Sequence, residues 1–254
     1  MKISLAFTPF SRMFRPLSIY SEQSRAEGPA TKVKWKVDDG IRIFGYDHSN
    51  FQTRLSVIRL DGKRFCEPLE RHPDFSTEIP RIRGLSTATG GNDIQIETEP
   101  GQKHLTIGTD DFSYNIGKSL SAQHMGIRQH YLPMENLTLR GAISSSILKK
   151  YFHMARTKSL RLKGPLRLKI SDADVKFVTK GDDEKSVLNL TDNVTLYSNR
   201  EKIEYTYELR LLVNIFKKLP SKERIELFAN DDLIRFRFEL GDNLGYVNYY
   251  QRGK

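Results

Sequence analysis

The sequence predicts an α+β fold made of two similar halves, each with two helices and many short strands. Most of the chain alternates apolar and polar residues with a period of two, as residues 32–37 do. Four stretches follow helical spacing instead. Because strands and helices recur in the same order in both halves of the 254 residues, we predict an internal duplication.

The strands are predicted from alternation and from turn signals between alternating runs. Residues 32–37 alternate, Asp38, Asp39 and Gly40 mark a hairpin turn, and residues 41–44 resume the alternation. Residues 160–163 and 166–170 behave in the same way on either side of Gly164 and Pro165. Strands therefore dominate the predicted structure.

Two of the predicted helices follow strands near the start of each half. The first begins at Thr8 and Pro9, a pair typical of a helix N-terminus. Its apolar face consists of Phe10, Met13, Phe14 and Leu17. The second begins at residues 144–146, and its inward face consists of Ile147, Leu148, Tyr151 and Ala155.

The other two helices lie later in each half. One is predicted near residues 79–85 from the spacing of Ile79, Ile82 and Leu85. The last runs from about residue 208 to 219 and ends before Pro220. Its buried side chains are predicted to be Leu209, Leu212, Val213 and Phe216.

The duplication is visible when the halves are compared. Residues 2–7 followed by a helix correspond to residues 137–143 followed by a helix. The hairpin of residues 33–44 corresponds to residues 166–177. The pair of strands between residues 93 and 107 corresponds to the pair between residues 224 and 238. A polar connector separates the two copies.

Charge and cysteine content restrict the function. Lys and Arg number 41 and Asp and Glu 31, which gives a net charge of +10 and favours a polyanionic partner. Cys66 is the only cysteine, so no intrachain disulfide is possible, and a reducing compartment is indicated. We expect no metal site, no cofactor, no secretion signal and no membrane span. The protein is predicted to be intracellular.

Three stretches of the second half carry a family resemblance: the run from Tyr207 to Pro220, residues 224–227, and Gly245 to Tyr250. Through them the second half resembles the second domain of the proliferating cell nuclear antigen (PCNA) family of DNA sliding clamps. In the first half, residues 39–49 resemble a segment of the same family. Its implied architecture has two β-α-β-β-β units per domain, with helices lining an inner face and sheets outside. The domains would span residues 1–117 and 136–254, with a connector at residues 118–135.

The resemblance implies that three subunits encircle double-stranded DNA and that the helices contact phosphates without reading bases. All four predicted helices carry cations and lack a matching acidic stripe. The predicted DNA-binding residues are Arg12, Arg15, Arg81, Arg83, Lys149, Lys150, His153, Arg156, Arg210, Lys217 and Lys218. These residues could equally form the solvated faces of amphipathic helices.

The family also binds polymerases and other replication or repair proteins through short docking peptides, and it is placed on DNA by a clamp loader. The implied peptide pocket consists of Tyr46, Phe51, Leu132, Pro133, Tyr249 and Tyr250. The alternative for Phe51 and Tyr249 is an ordinary place in the core. The family's C-terminal Ala-Pro segment is replaced here by residues 251–254, so peptide preference is expected to differ.

Ring closure in the family pairs an edge strand of one domain with an edge strand of the next subunit. The matching segments are residues 111–116 and 186–190. The implied interface residues are Phe112, Tyr114, Ile116, Val187, Leu188 and Leu190. The sequence does not distinguish a homotrimer from one subunit of a heterotrimer.

Three functions therefore follow from the sequence. The first is a non-enzymatic DNA sliding clamp, located in the cytoplasm if the protein is archaeal and in the nucleus if it is eukaryotic or viral. The second is a checkpoint-type clamp subunit or a monomeric or dimeric viral-type processivity factor, which the unusual positive charge would suit. The third is a nucleic-acid-modifying enzyme, which is disfavoured because the sequence shows no nucleophile–base pair and no phosphate-cradling glycine loop.

Overall fold

A computed structural model describes most of the chain, with gaps. The described residues are 1–14, 32–38, 40–46, 54–61, 72–78, 93–119, 136–157, 165–171, 174–180, 185–197, 202–218, 223–231, 233–241 and 243–253. They form two compact units. The first comprises residues 1–51, 55–130 and 239–248, and the second comprises residues 52–54, 131–238 and 249–254.

The first part of the chain forms one helix and eight strands among its described residues. The helix α1 spans Phe7–Phe14. The strands are β1 (Lys2–Leu5), β2 (Lys32–Val37), β3 (Gly40–Tyr46), β4 (Arg54–Asp61), β5 (His72–Glu78), β6 (Ile94–Glu97), β7 (His104–Gly108) and β8 (Ser113–Ser119). They pair antiparallel in the order β1-β6-β7-β8-β5-β2-β3-β4.

The remainder of the chain forms two helices and nine strands among its described residues. The helices are α2 (Ser145–Thr157) and α3 (Leu209–Lys218). The strands are β9 (Leu139–Ser144), β10 (Leu166–Ser171), β11 (Asp174–Lys180), β12 (Lys185–Asn189), β13 (Val194–Leu196), β14 (Lys202–Tyr207), β15 (Arg224–Ala229), β16 (Leu233–Glu239) and β17 (Gly245–Arg252). A 3-10 turn spans Thr191–Asn193. The second unit contains the strand orders β16-β15-β9-β13 and β12-β11-β10-β14.

The predicted duplication is confirmed by the strand pairing. Strand β1 pairs with β6, which pairs with β7, and in the second copy β9 pairs with β15, which pairs with β16. The order β5-β2-β3-β4 in the first copy matches β14-β10-β11-β12 in the second. Both copies also place a helix directly after their first strand. The same topology has thus been built from two diverged sequences.

The first helix begins two residues before Pro9, its predicted first helical position. Phe7 opens α1, so that Pro9 lies within the first turn, where proline costs no helical hydrogen bond. Phe10, Met13 and Phe14 are fully buried, as the helical spacing predicts. Leu17 lies outside the described residues, and so does the helix predicted near residues 79–85.

Aromatic side chains join α1 to the sheet of the first unit. The Phe14 ring lies 5.9 Å from the Trp35 ring, which stacks on Phe75 at 5.7 Å. The Trp35 indole Nε1–H donates a hydrogen bond of 2.9 Å to Thr77 Oγ1 inside the core. Alternate residues of β2 therefore point inward, as the alternation of residues 32–37 indicates.

The hydrogen bond between Trp35 and Thr77 leads to a stability prediction. Thr77→Val keeps the shape of the side chain but leaves the buried indole N–H without its acceptor, so we expect the free energy of unfolding to fall by about 1–3 kcal/mol. Urea unfolding at fixed protein concentration measures the change. Thr106→Val is the matched control, because the Thr106 hydroxyl bonds Asn115 on the exposed side of a strand. Equal losses in the two variants would contradict the role given to Trp35.

Candidate nucleic-acid interface

Helix α2 starts at a serine cluster that satisfies its first backbone groups. Ser144 Oγ accepts a hydrogen bond from the Ser146 N–H at 3.3 Å, which is a side-chain cap. The Ser145 N–H donates to the Glu223 carbonyl at 2.7 Å, and the Glu223 N–H donates to Ser145 Oγ at 3.0 Å. The helix is thus fixed at its N-terminus against the segment that leads into β15.

The inner face of α2 packs in an aromatic core. Phe152 stacks on Phe216 of α3 at 4.9 Å, and Phe216 meets Phe236 of β16 edge-on at 4.9 Å. Tyr151 lies 6.4 Å from Phe177 of β11, and burial raises the pKa of its hydroxyl to about 12. The two helices therefore pack side by side, and both sheets of the second unit turn one face toward them.

The prediction for the inward face of α2 is wrong at one residue. Leu148 and Tyr151 are buried, but Ile147 is 40 % exposed. Phe152, which the sequence analysis left out, takes the inner position and is 1 % exposed. The physical reason is the helical angle: Phe152 lies one turn beyond Leu148, whereas Ile147 points toward the flank that also carries the exposed Met154. The Ala155 side chain lies outside the described part.

The described DNA-binding candidates of α2 lie on the side of the helix away from its aromatic core. Lys150 and His153 are exposed, and Lys149 is half-buried. Burial lowers the pKa of Lys149, while the charge of Glu223 opposes that shift. Lys149 and His153 lie one turn apart and share one flank, and the Arg156 side chain is not among those described.

Helix α3 buries the residues that its spacing predicts. Leu209, Leu212, Val213 and Phe216 are at most 9 % exposed. The predicted DNA-binding residues Arg210, Lys217 and Lys218 belong to this helix, and their side chains lie outside the described part of the structure. Arg15, Arg81 and Arg83 lie in segments that are not described.

Arg12 on α1 contacts a turn of its own unit. Its guanidinium Nη1 donates a hydrogen bond of 3.2 Å to the Leu240 carbonyl. Gly241 follows with φ +96°, and a Cβ atom there would lie 2.9 Å from that same nitrogen. The half-buried Arg12 side chain therefore connects α1 to the turn before β17. Its contact with DNA stays a prediction.

Strand β12 has an open edge among the described residues. The Leu190 N–H donates to the Val175 carbonyl at 2.7 Å, and the register pairs Leu188 with Phe177. In an antiparallel ladder the alternate residues, Val187 and Asn189, must direct their backbone groups away from β11. Val187 is also 44 % exposed, whereas Leu190 is buried and Leu188 half-buried.

Strand β8 also has an open edge over part of its length. The Lys118 N–H donates to the Lys103 carbonyl and the Thr109 N–H to the Phe112 carbonyl, so the main chain of Tyr114 faces β7. Strand β5 pairs with β8 only at Lys118 and Ser119. Residues 113–117 thus keep one edge without a described partner strand. Of the predicted interface side chains, Phe112 is 47 % exposed, Tyr114 half-buried and Ile116 buried.

Two tyrosines of the predicted peptide pocket are buried. Tyr249 and Tyr250 are 1 % and 4 % exposed, and the Tyr249 hydroxyl donates to Gln251 Oε1 at 3.2 Å. Phe51, Leu132 and Pro133 lie outside the described residues, as does the side chain of Tyr46. The pocket therefore stays a prediction.

The predicted DNA-binding residues all lie on helices, and the arginines on the strands were missed. Strand β16 reads Leu-Ile-Arg-Phe-Arg-Phe-Glu, with Ile234, Phe236 and Phe238 buried. Arg235 and Arg237 must then point to the face of the sheet opposite the helices. Period-two alternation was the signal that could have found them.

Neither a metal site nor a membrane helix is seen in the described parts of the chain. No group of three or more His, Cys, Asp or Glu side chains is arranged there to hold a metal ion. None of the described helices is long and apolar enough to cross a membrane.

The chain is similar to known proteins in structure but not detectably in sequence. No protein-family model matches the chain, and no curated protein matches it in sequence. Solved structures do match: PCNA from Thermococcus kodakaraensis has a TM-score of 0.76 at 14 % identity, over 100 % of this chain and 99 % of that one. The chain has the PCNA-type clamp fold.

Two further structures share the clamp fold. PCNA of A. fulgidus, solved with the C-terminal region of FEN-1, has a TM-score of 0.74 at 13 % identity, over 100 % of this chain and 98 % of that one. The PCNA2–PCNA3 complex of Sulfolobus tokodaii has a TM-score of 0.73 at 15 % identity, over 100 % and 99 %. The fold class predicted from the sequence is therefore confirmed.

Proposed function

We propose that the chain is a DNA sliding clamp, a non-enzymatic ring that encircles duplex DNA and tethers replication and repair proteins. The observation that carries the proposal is the clamp fold, matched over 100 % of the chain at a TM-score of 0.76 despite 14 % identity. A protein that acts by encircling DNA needs few residues in common with its relatives, because its function depends on the shape of the fold and not on a catalytic side chain. Such a protein acts in the compartment that holds the DNA.

The open edges of β8 and β12 support ring closure. Among the described residues, Ser113, Asn115 and Gly117 of β8 and the alternate residues of β12 direct backbone groups away from their partner strands, on edges of equal length. An exposed edge favours pairing with another chain, and a head-to-tail contact of two different edges closes into a ring. We propose a trimer joined by these edges, with Phe112, Tyr114, Ile116, Val187, Leu188 and Leu190 beside the junction.

The cations of the helices support contact with DNA phosphates. Lys150 and His153 are exposed on α2, and Lys149 lies half-buried next to them. Their side chains can approach phosphates, whereas no described feature of the helix would read a base edge. Contacts of this kind bind DNA of any sequence and let the protein move along it.

Partner binding is proposed from the fold alone. The A. fulgidus PCNA was solved with a bound C-terminal region of FEN-1. We propose that this chain holds comparable peptides at Tyr46, Phe51, Leu132, Pro133, Tyr249 and Tyr250. We also propose domains at residues 1–117 and 136–254, with a connector at residues 118–135. A clamp loader and heteromeric partners belong to the same proposal.

Retention on end-blocked DNA tests encirclement directly. The protein is incubated with a linear biotinylated duplex, streptavidin is then added to block both ends, and the complex is washed in about 1 M salt, where phosphate contacts are weak. A ring is expected to remain on blocked DNA and to leave DNA with open ends. Loss from both substrates would contradict encirclement and favour a monomeric processivity factor held by charge.

Removing two cations of α2 is expected to weaken the electrostatic part of duplex binding. Lys149→Gln with Lys150→Gln should lower the slope of log affinity against log salt by about 1.8, since each lost phosphate contact contributes about 0.9. Fluorescence anisotropy with a labelled duplex measures the slope. The control is Lys103→Gln with Lys202→Gln, which removes the same charge from two exposed positions outside the helices. An equal change in slope would contradict a specific role for α2.

A further inference from the structure

A row of alternating arginine and phenylalanine crosses the sheet of the second unit. The register pairs Arg140 of β9 with Phe228 of β15, and Phe228 with Arg235 of β16. The guanidinium carbon of Arg235 lies 3.9 Å from the Phe228 ring centroid, and that of Arg140 lies 5.3 Å from it. Two cations therefore cover one aromatic ring, in the geometry of a cation–π pair.

This row lies on the face of the sheet that points away from the helices. Neighbouring residues Leu227 and Phe236 are fully buried, and Phe236 packs against Phe216 of α3. Because side chains alternate along a strand, Phe228 and Arg235 point to the opposite face. Phe228 is nevertheless only 5 % exposed, because the two arginine side chains lie over it.

The two guanidinium groups have the properties of an anion site. Within the described part of the chain, neither Arg140 nor Arg235 forms an ion pair with a carboxylate, and the buried Arg235 Nε has no hydrogen-bond acceptor. Contact with the ring restricts the two guanidinium groups, and the planar fork of a guanidinium suits bidentate binding of a phosphate. Both guanidinium groups lie beside the same ring, so their like charges repel each other, and a bound phosphate would relieve that repulsion.

Charge and an exposed aromatic side chain extend the row. Arg224 and Arg237 share this face, and so do the carboxylates of Glu226 and Glu239, of which Glu226 pairs with Arg237 at 3.8 Å. At the other end, Thr195 of β13 pairs with Arg140, and the Tyr197 N–H continues the ladder by donating to the Thr138 carbonyl. Tyr197 therefore emerges on the side of Thr195, and it is 56 % exposed.

We propose that this face binds single-stranded nucleic acid, at a site separate from the helices. Arg140 and Arg235 would hold phosphates, and Tyr197 would stack on a base. Guanidinium groups interleaved with aromatic rings suit a strand whose bases are unpaired, whereas the bases of a duplex are closed to stacking. An acidic peptide could satisfy the arginines but would make no use of the exposed Tyr197 ring.

Substitution of the arginine pair tests the phosphate contacts. The full chain is titrated against a fluorescein-labelled oligothymidylate of about 20 nucleotides, long enough for a site of this kind. Arg140→Gln with Arg235→Gln is expected to weaken binding roughly tenfold or more at about 0.1 M salt and to reduce the salt slope by about 1.4. Lys103→Gln with Lys202→Gln removes the same charge and should leave affinity within about twofold.

Two further variants separate geometry from charge. Arg140→Lys with Arg235→Lys keeps the charge but lacks the planar fork, so it should restore the salt slope and only part of the affinity. Tyr197→Leu should weaken binding about fivefold or more with an unchanged salt slope. Unchanged thermal melting confirms that each variant is folded.

Several results would overturn the proposal. Wild-type affinity in the double glutamine variant would show that the two arginines do not bind the strand. Full affinity in the double lysine variant would show that their charge is sufficient and the guanidinium geometry is not needed. If a duplex of the same length loses affinity equally and Tyr197→Leu has no effect, the assignment to single strands is wrong. Equal competition by an acidic peptide of the same charge would show that the face binds protein. Retention on end-blocked DNA should be unaffected in all these variants, so the two proposals fail separately.

Discussion

Phe216→Ala is expected to lower the free energy of unfolding by about 3–5 kcal/mol, among the largest effects of any single substitution in the second unit. Phe216 is fully buried at the centre of an aromatic cluster, with ring centroids 4.9 Å from both Phe152 and Phe236. It therefore links α2, α3 and β16. Truncation would remove both ring contacts and leave a cavity that the neighbouring rings cannot fill without leaving their rotamers.

Urea unfolding followed by circular dichroism measures this loss. Protein concentration must be held constant, because assembly adds to apparent stability. Ile147→Ala on the neighbouring helix is the control: Ile147 is 40 % exposed, so its loss should change stability by less than about 1 kcal/mol. A Phe216→Ala variant as stable as that control would show that the cluster is not the core of the unit.

Val187→Pro is expected to convert the proposed trimer into monomers while leaving the subunit folded. The Val187 N–H points away from β11, toward the edge proposed to pair with β8 of another subunit. Proline removes that donor and places its ring at the junction, and an edge strand tolerates proline where the N–H faces outward. Light scattering after size exclusion should then give a mass near one chain instead of three.

Two substitutions in the same strand control for this effect. Val187→Ala keeps the N–H and should keep the trimer. Leu188→Pro removes an N–H that the register directs to Phe177 within the sheet, so it should destabilise the subunit itself. A trimer that survives Val187→Pro at micromolar concentration would place the subunit contact elsewhere, and a wild-type monomer would contradict the ring itself.

The secondary structure and its duplication were predictable because local patterns repeat within one sequence. The alternation of residues 32–37 predicts a strand that buries Val33, Trp35 and Val37, and all three are buried. The helical spacing of Leu209, Leu212, Val213 and Phe216 likewise predicts the buried face of α3. These patterns depend on which side of one element is apolar, and that information is local.

The candidate sites were less predictable, because they depend on which elements become neighbours. Ile147 looks like a core residue in a helical pattern, yet it is exposed on α2, and Phe152 is buried instead. Phe228 alternates as an outward residue, yet it is covered by Arg140 and Arg235, which lie 88 and 7 positions away along the chain. Helical angle and strand register decide such contacts, and neither can be read from composition.

By itself, the sequence determined that the chain is a strongly basic α+β protein with a duplicated strand–helix pattern. Alternation, helical spacing and charge are properties of short segments, so they can be read from the sequence without knowing which elements pack together. Only the tertiary structure decided which strand edges stay open, which turn Arg12 contacts, and which aromatic ring two arginines share, that of Phe228. These features arise from pairing between distant segments, whose register is set by the packing of the whole sheet.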